Sequence, residues 1–273
     1  MEPPETDAPP HSVLRAFGVA GPPHKLGGFT GAWRAEDLVL KRSHAGTDTV
    51  EAEARLLGSV ADAGFRLQRL RRAADGSALV DGWIARDYLH GAHATDRWPD
   101  ALRVGDALNR ALRGIGREDA APMVDGRMDP WGTADRIAWE EEPIPAGDAY
   151  ADPVLRRLAS ARRPVLTRPQ LVHGDLTGNV LFAGDAPPAV IDFSPYFRPP
   201  GYALGIVIAD AVVWHAATLD LLDRVADRGE IGQCLIRALL FRHVTGILLE
   251  RRLPLGVAAE RYEALVDAAL DLA

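Results

Sequence analysis

The feature that most constrains the fold of this sequence is a pair of short, mainly apolar segments in the middle of the chain, each followed by polar side chains. The first, Gln170-Leu171-Val172, leads into His173-Gly174-Asp175, and the second, Ala189-Val190-Ile191, leads into Asp192. Short apolar segments that contain β-branched residues predict strands. We expect the tips of two neighbouring central strands to carry these polar groups into one cleft.

The residues after these strands have the chemistry that phosphoryl transfer needs. Such a transfer requires a group that orients the acceptor hydroxyl and oxygen ligands that hold Mg²⁺ against the phosphates. Asp175 suits the first task, while Asn179 and Asp192 suit the second, because Mg²⁺ prefers hard oxygen ligands. The alternative is that both aspartates only cap turns after strands. The coincidence of His-Gly-Asp, a nearby Asn and a second Asp at a strand end favours a catalytic segment.

The string His173-Gly174-Asp175-Leu176, followed by Asn179 and by Ile191-Asp192-Phe193, resembles the catalytic and metal-binding segments of aminoglycoside phosphotransferases, choline kinases and their relatives. The resemblance covers residues 20–260. It implies an α+β, two-lobed protein-kinase-like fold with ATP bound between the lobes. It also implies that Asp175 is the catalytic base, that Asn179 and Asp192 bind Mg²⁺, and that His173 supports the catalytic loop.

The sequence departs from the kinase pattern at two places. Three residues (176–178) separate Asp175 from Asn179, where the kinase pattern has four. The shorter loop must turn more tightly, which Gly178 permits because glycine tolerates positive φ. The second departure is Ser194, which stands where protein kinases have Gly and many small-molecule kinases have an acidic residue. These departures keep open a pseudokinase, a nucleotide-binding or protein-interaction module without turnover.

A cation for the phosphates is expected from Lys41, which ends the apolar strand Leu38-Val39-Leu40-Lys41. By the resemblance, Lys41 binds the nucleotide phosphates, and Glu53 on the following helix holds Lys41 in an ion pair. Glu51 is the rival partner, about 200° away around the helix. The string Glu-Ala-Arg-Leu-Leu that begins at Glu53 favours that residue, because it resembles the corresponding family helix. The alternative is an exposed helix face that carries both acids.

Two further segments are candidates for nucleotide binding. In the stretch Gly27-Gly28-Phe29-Thr30-Gly31, backbone N–H groups can cover the phosphates. The candidate residues there are Gly27, Gly28, Thr30 and Gly31, although a plain hairpin turn explains the stretch equally well. Residues 84–91 resemble the link between the lobes, where backbone groups bind the adenine edge. Arg86 and Tyr88 are the candidates in that link.

Composition excludes several classes of protein. The chain has 273 residues, enough for one large domain or two small lobes, and its formal charge of −7 argues against a nucleic-acid binder. The single cysteine, Cys234, lies in an apolar run and predicts a packed thiol in a reducing cytosol. The first ten residues lack a signal-peptide pattern, and the apolar run Leu204 to Trp214 contains Asp210. We therefore expect a cytoplasmic protein that does not span a membrane.

Periodicity and turn residues outline the remaining elements. Ser12 predicts the cap of a short helix that runs to about Phe17, and the stretch Asp119 to Pro145 is predicted to be irregular because of its Pro, Gly and Trp residues. The other expected elements are a helix at 49–60, strands at 65–70 and 78–86, helices at 102–115 and 153–162, and helix from 202 onward.

Three features of the second half bear on the substrate and on support of the site. Glu140, Glu141 and Glu142 form a possible anionic wall for an amine, although such a run is more often a solvated face. The segment Ser194 to Pro200 can shape an acceptor pocket or can simply be a rigid loop. Asp210 interrupts an apolar helix, and the resemblance implies that it accepts hydrogen bonds from the catalytic-loop backbone.

The predicted organisation is a disordered tail (residues 1–10), a small nucleotide-binding lobe with an antiparallel sheet (11–87) and a larger, mainly helical lobe for catalysis and substrate (88–273). The hypothesis is transfer of the ATP γ-phosphate to a hydroxyl of a small molecule, with ATP and Mg²⁺ as cofactors. The absence of an Ala-Pro-Glu string after Asp192 argues against a protein kinase. The acceptor, the choice between ATP and GTP, and the oligomeric state stay open.

Overall fold

The computed structural model describes residues 8–27, 31–225, 230–250 and 257–273. The helices in these ranges are α1 (His11–Ala16), α2 (Thr47–Gly58), α3 (Trp98–Leu112), α4 (Arg117–Val124), α5 (Pro130–Ala138), α6 (Pro153–Ser160), α7 (Pro200–His215), α8 (Ile231–Leu248) and α9 (Val257–Asp271). The strands are β1 (His24–Lys25), β2 (Trp33–Ala35), β3 (Leu38–Arg42), β4 (Arg66–Leu67), β5 (Leu70–Arg71), β6 (Trp83–Asp87), β7 (Ala92–His93), β8 (Gln170–His173), β9 (Val180–Ala183), β10 (Ala186–Val190) and β11 (Pro195–Arg198).

The first half of the chain forms a five-stranded antiparallel sheet in the order β1-β2-β3-β6-β5. The register of the sheet places Lys41 of β3 opposite Ile84 of β6. Leu38 and Leu40 are buried with Trp83 in a small apolar core. Because successive side chains of a strand point to opposite faces, Lys41 leaves the sheet on the face away from this core.

A second sheet, in the order β4-β10-β9-β7, joins segments that are distant in sequence. Strand β4 runs parallel to β10, with Arg66 opposite Ala189 and Leu67 opposite Val190. The division of the chain at residue 87 stays a prediction, and β4 and β10 lie on opposite sides of it. Because β4 pairs with β10, the first half of the chain is fixed directly to the loop that carries Asp192.

The strand β8 lies in a separate two-stranded sheet with β11. The expectation that the strands before Asp175 and Asp192 are neighbours is therefore wrong. Their ends still meet, because the Gly174 N–H donates to the Ser194 carbonyl at 2.9 Å and the Ile191 N–H donates to the Asn179 carbonyl at 3.0 Å. Loop hydrogen bonds, rather than a shared sheet, bring the polar groups together.

The second half is mainly helical around a large apolar core. Helices α7 and α8 pack against each other and are buried around nearly their whole circumference, as expected for helices inside a core. By length and composition α8 would suffice to cross a membrane, but 78% of it is buried within the protein, which is typical of a core helix. The predicted α+β architecture, with a sheet-rich first half and a helical second half, is confirmed.

Several local expectations are wrong. The stretch predicted to be irregular contains α4 and α5, and Asp129 caps α5 by accepting from the Gly132 N–H at 2.9 Å, with Pro130 at the first helical position. Helix α1 begins after Pro10 without a side-chain cap, so Ser12 is not its cap. The single strand expected at 65–70 is two short strands in different sheets, β4 and β5.

Candidate active site

His173 ends β8 and is fully buried. Its Nδ1 accepts a hydrogen bond from the Asp175 N–H at 3.1 Å, so Nε2 carries the proton and donates to the Ile191 carbonyl at 3.2 Å. Burial lowers the pKa of His173 below its ordinary value, which favours this neutral form. The ring of His173 thus links the loop after β8 to the loop after β10.

Gly174 lies directly against the ring of Tyr196 on β11. A Cβ atom at Gly174 would overlap two carbons of that ring. The Ser194 N–H also points to Nδ1 of His173, at 3.4 Å. Glycine is therefore required here by close approach, because no side chain fits between the loop and Tyr196.

Asp175 and Asn179 form one hydrogen-bonded unit. The Asn179 Nδ2 donates to the Asp175 carbonyl at 2.7 Å and to Asp175 Oδ2 at 3.2 Å. Gly178 has a φ of +76°, so the shortened loop does turn at the glycine. The Asp175 side chain is 46% exposed and can be reached from solvent.

Asp192 lies two residues after β10 with a φ of +47°, a left-handed conformation that is uncommon for a residue other than glycine. The Gln68 Oε1 accepts from its N–H at 3.1 Å, and Lys41 Nζ lies 3.3 and 3.2 Å from its two carboxylate oxygens. Burial favours the neutral acid, but the positive charges of Lys41 and Arg86 outweigh it and lower the pKa of Asp192 below its ordinary value. Asp192 is therefore an anion at neutral pH.

The expected ion pair between Lys41 and Glu53 is absent from the part of the chain that the structure describes. Glu53 instead pairs with Arg86, with Glu53 Oε2 at 3.2 Å from Arg86 Nη2, and both side chains are nearly buried. Glu51 is not the partner of Lys41 either, because it accepts from the Ala78 N–H at 2.8 Å and pairs with Arg72. The ion-pair partner of Lys41 in the described structure is therefore Asp192.

A cavity of about 570 Å³ lies where these groups meet. Lys41, Asn179 and Asp192 line it together. Apolar side chains also line it, and they are Leu26, Ala32, Val39, Leu89, Leu181 and Ile191. The volume falls in the range of small-molecule and cofactor sites, which combine an apolar lining with a few placed polar groups.

Part of the glycine-rich turn also lies at this cavity. Gly27 is among its lining residues, and Gly31 has a φ of +57°. Gly28 and Thr30 lie outside the described residues. The structure therefore places the start of the turn at the cavity.

The backbone groups expected to bind adenine are largely occupied. The Tyr88 N–H donates to the Asp37 carbonyl at 2.7 Å, so this donor already has a partner within the protein. Arg86 lies inside β6, opposite Val39 on one side and Leu70 on the other, so its backbone faces the sheet. What Arg86 brings to the cavity is its side chain, which lines it.

Arg242 of α8 links the Asp175 loop to the helical core. Its Nη2 lies 3.0 Å from Asp175 Oδ1, and its Nε donates to Asp210 Oδ1 at 2.7 Å. Burial disfavours the charged guanidinium, yet the charges and hydrogen bonds of Asp210 and Asp175 outweigh it and raise the pKa of Arg242. The expectation that Asp210 accepts hydrogen bonds from the catalytic-loop backbone is wrong, because within the described residues its carboxylate accepts from the Arg242 guanidinium instead.

The three consecutive glutamates do not form a free anionic wall. Glu140 lies near Arg237, Glu141 pairs with Arg198, and Glu142 pairs with Arg136. The segment after Ser194, treated as a loop, is the strand β11. A wall of unpaired negative charge for an amine is therefore not present at these residues.

One simpler expectation holds. Cys234 is buried in α8, and burial raises the pKa of its thiol to about 12, as expected for a packed thiol. Within the described residues, no cluster of three or more His, Cys, Asp or Glu side chains could hold a metal ion.

Sequence reasoning missed three residues of this region: Gln68, the side chain of Arg86, and Arg242. Gln68 is buried and connects the two halves, since its Nε2 donates to the Asp87 carbonyl at 2.9 Å while its Oε1 accepts from Asp192. Arg242 had a usable signal, because it interrupts an apolar helical run just as Asp210 does. Gln68 had none, because its strand carries no distinguishing pattern.

The donor set fits a hard divalent cation. Asn179 and Asp192 offer amide and carboxylate oxygens at one cavity. Mg²⁺ is usually held by one or two carboxylates together with substrate phosphates and waters, so a cage of three protein acids is not required. The residues present therefore fit a metal bound jointly with a polyphosphate.

Comparison with known proteins defines the class. Solved structures of kinases and phosphotransferases resemble this one in fold, and the candidate site lies where the sheet-rich and helical parts meet. The chain belongs to the phosphotransferase enzyme family (APH), whose family model matches residues 29–220. No curated protein sequence matches the chain.

Three solved structures illustrate the likeness. A choline/ethanolamine kinase family protein from Mesorhizobium loti is 19% identical, with a TM-score of 0.55 over 93% of this chain and 89% of its own. A spectinomycin phosphotransferase in complex with ADP and spectinomycin is 16% identical, with a TM-score of 0.53 over 89% of each chain. The amicoumacin kinase hAmiN, in complex with AMP-PNP and Ca²⁺, is 11% identical, with a TM-score of 0.61 over 91% of this chain and 88% of its own. The predicted two-lobed kinase-like fold is confirmed.

Proposed function

We propose that this protein is an ATP-dependent phosphotransferase that moves the γ-phosphate to a hydroxyl group of a small molecule. The observation that carries the proposal is the Lys41–Asp192 ion pair at 3.2 Å in a cavity that Asn179 also lines. Family membership supports phosphotransferase chemistry, and related folds that were crystallised with ADP or AMP-PNP support a nucleotide in the cleft.

In this proposal the apolar lining of the cavity holds the purine and the polar lining holds the phosphates. Lys41 leaves Asp192 and binds phosphate oxygens when the nucleotide enters. Asn179 and Asp192 would hold Mg²⁺, which would offset the negative charge that develops on the phosphates. The Asp192 carboxylate is suited to this role because its lowered pKa keeps it ionised.

Asp175 orients the acceptor hydroxyl and takes its proton. The acceptor oxygen forms a bond to the γ-phosphorus while the bond from that phosphorus to the β–γ bridging oxygen breaks, so ADP leaves with the bridging oxygen. His173 does not exchange a proton in this scheme, because its neutral ring is fully occupied between Asp175 and Ile191. Its role is to hold the loop.

The shortened loop between Asp175 and Asn179 is compatible with turnover. Gly178 turns at positive φ, and Asn179 still bonds to both the backbone and the side chain of Asp175. These contacts favour an active enzyme over the pseudokinase. The acceptor is a small molecule of unassigned identity, and we place the reaction in the cytosol.

The test begins with nucleotide binding. ATP with Mg²⁺ at about 100 times its Kd is expected to stabilise the protein by about 2.7 kcal/mol in a thermal shift assay. ATP consumption is then measured with pooled hydroxyl acceptors and with water alone. Asp175→Asn is expected to lower turnover by about 10²- to 10⁴-fold while nucleotide binding persists.

Asp185→Asn is the matched control, because this carboxylate is exposed on the turn between β9 and β10. Undiminished turnover in Asp175→Asn would remove the base assignment. Stabilisation by ATP without turnover under any condition would leave the pseudokinase, and no stabilisation at all would reject both.

A further inference from the structure

We propose that Arg242 is a positioning residue for Asp175: it holds the proposed catalytic carboxylate from the helical core, so that the remaining lone pairs of that carboxylate face the acceptor hydroxyl. This inference rests on the proposed function. It concerns a residue on α8 that is 67 positions from Asp175 in sequence.

The first observation is that both oxygens of the Asp175 side chain are held from different directions. Oδ1 accepts from Arg242 Nη2 at 3.0 Å, and Oδ2 accepts from Asn179 Nδ2 at 3.2 Å. An ionised carboxylate has about four lone-pair positions, so two remain for a substrate. Two contacts on opposite oxygens fix the rotation of the carboxylate, which either contact alone would leave free.

The second observation is that Asp175 needs such support. Its side chain is 46% exposed, and a half-exposed aspartate would otherwise sample several rotamers. Arg242 is only 13% exposed and cannot move with the loop, because α8 is packed in the core. The guanidinium is also charged at all accessible pH values, so the contact does not switch off.

The third observation concerns Asp210, which fixes Arg242. The side chain of Asp210 is 9% exposed, and its carboxylate accepts hydrogen bonds from both Nε and Nη2 of Arg242. In this bidentate ion pair the two charges already balance, and both carboxylate oxygens are bonded. The contact to Asp175 is additional, and the three groups together carry one net negative charge, which suits acceptance of a hydroxyl proton.

The energetic argument points the same way. A buried ion pair often contributes no more to stability than apolar residues of the same volume, so its presence inside an apolar helix pair needs another reason. The reason that the geometry offers is placement of Asp175. Arg242 does not need to touch the substrate for this, so its effect on the reaction would pass through Asp175.

The experiment compares Arg242→Met and Arg242→Lys with a matched control, Arg237→Met. Arg237 lies on the same helix, is 3% exposed, and bonds to Gln233 and the Arg163 carbonyl, away from Asp175. Both methionine variants remove a buried arginine from α8. Only one removes the contact to the proposed base.

We expect Arg242→Met to lower kcat for ATP turnover, with water or a pooled acceptor, by about 10- to 100-fold, the effect of a misplacement of about 1 Å. The KM for ATP should change less than twofold, because Arg242 is not among the residues that line the nucleotide cavity. Arg242→Lys should recover part of kcat. In a further variant, Arg242→Ala, guanidinium at low concentration should restore part of the activity, whereas it should not restore that of Asp175→Asn.

A kcat of Arg242→Met equal to that of the wild type, or lowered no more than in Arg237→Met, overturns the inference. Where Asp175→Asn lowers turnover and Arg242→Met does not, the inference alone fails. Where Asp175→Asn has no effect, the proposed function fails first. In a protein without turnover, a crystal structure of Arg242→Met decides the matter: an Asp175 carboxylate in its original orientation contradicts the inference, and a rotated one supports it.

Discussion

The Glu53 carboxylate lies against the guanidinium of Arg86, with Oε2 at 3.2 Å from Nη2, while Lys41 pairs across the cleft with Asp192. Helix α2 is therefore fixed to β6 rather than to β3. The Glu53 and Arg86 side chains are 12% and 9% exposed. Arg86 thus makes the contact that orients α2, and Lys41 makes the contact across the cleft. Because the two cations differ, each contact can be removed by mutation without the other.

The first prediction concerns Arg86. Arg86→Met should lower the free energy of unfolding by about 3–5 kcal/mol, because it leaves the Glu53 carboxylate buried without its partner. Urea unfolding measures the change. The double variant Arg86→Met with Glu53→Met should recover much of the loss, and a double variant as unstable as the sum of the singles would contradict the pairing.

The second prediction concerns Lys41, whose ion pair with Asp192 is partly exposed. Lys41→Met should change the free energy of unfolding by less than about 1 kcal/mol, because pairs that water reaches contribute little. It should nevertheless lower ATP turnover by about 10²- to 10³-fold, since a cation aimed at the phosphates is lost. An ATP turnover assay and urea unfolding measure the two effects separately, and Lys41→Arg provides the graded comparison.

The third prediction concerns Gly174, where a Cβ atom would overlap the Tyr196 ring. Gly174→Ala should lower the free energy of unfolding by about 1–3 kcal/mol, because the loop or the ring must shift. Chemical denaturation measures the effect. In the background of Tyr196→Leu the same glycine substitution should cost clearly less, and equal costs in both backgrounds would show that the ring is not the cause.

The fourth prediction concerns the pH dependence of stability through His173. Its pKa in the folded protein is lowered by burial, so the unfolded chain binds the proton more tightly. The contribution of His173 to the free energy of unfolding is therefore fully present above its ordinary pKa of about 6.5, and it is lost as the pH falls below that value. Between pH 7.5 and 5, the free energy of unfolding of the wild type should fall by up to about 1.4 kcal/mol per pH unit more than that of His173→Gln.

His243 provides the internal control for that measurement. Burial lowers the pKa of His243 as well, so a fall in pH from 7.5 to 5 lowers the free energy of unfolding through His243 in both the wild type and His173→Gln. Only the difference between wild type and His173→Gln reports on His173. Identical slopes in the two proteins would contradict the neutral, buried form of that ring. Because its pKa is lowered, Asp192 changes the free energy of unfolding only below about pH 4, outside the pH range of this comparison.

The sequence by itself determined the α+β architecture and the places along the chain where the central polar groups follow strands. The apolar segments before His173 and Asp192 predicted strands, and the strands are present. The glycine at 178 predicted how a shortened loop turns, and its φ is +76°. Such features depend on local backbone conformation and on the spacing of a few residues, which the order of amino acids expresses directly.

Only the tertiary structure decided which charged group binds which. Lys41, Arg86 and Arg242 can all reach an acid, and nothing in their spacing assigns Glu53 to Arg86, Asp192 to Lys41, or Asp175 and Asp210 to Arg242. Those choices depend on how β6, α2, α7 and α8 pack, since a long side chain pairs with whichever buried acid lies within its reach. The energies involved come from desolvation and distance in three dimensions, and neither is encoded in a local pattern.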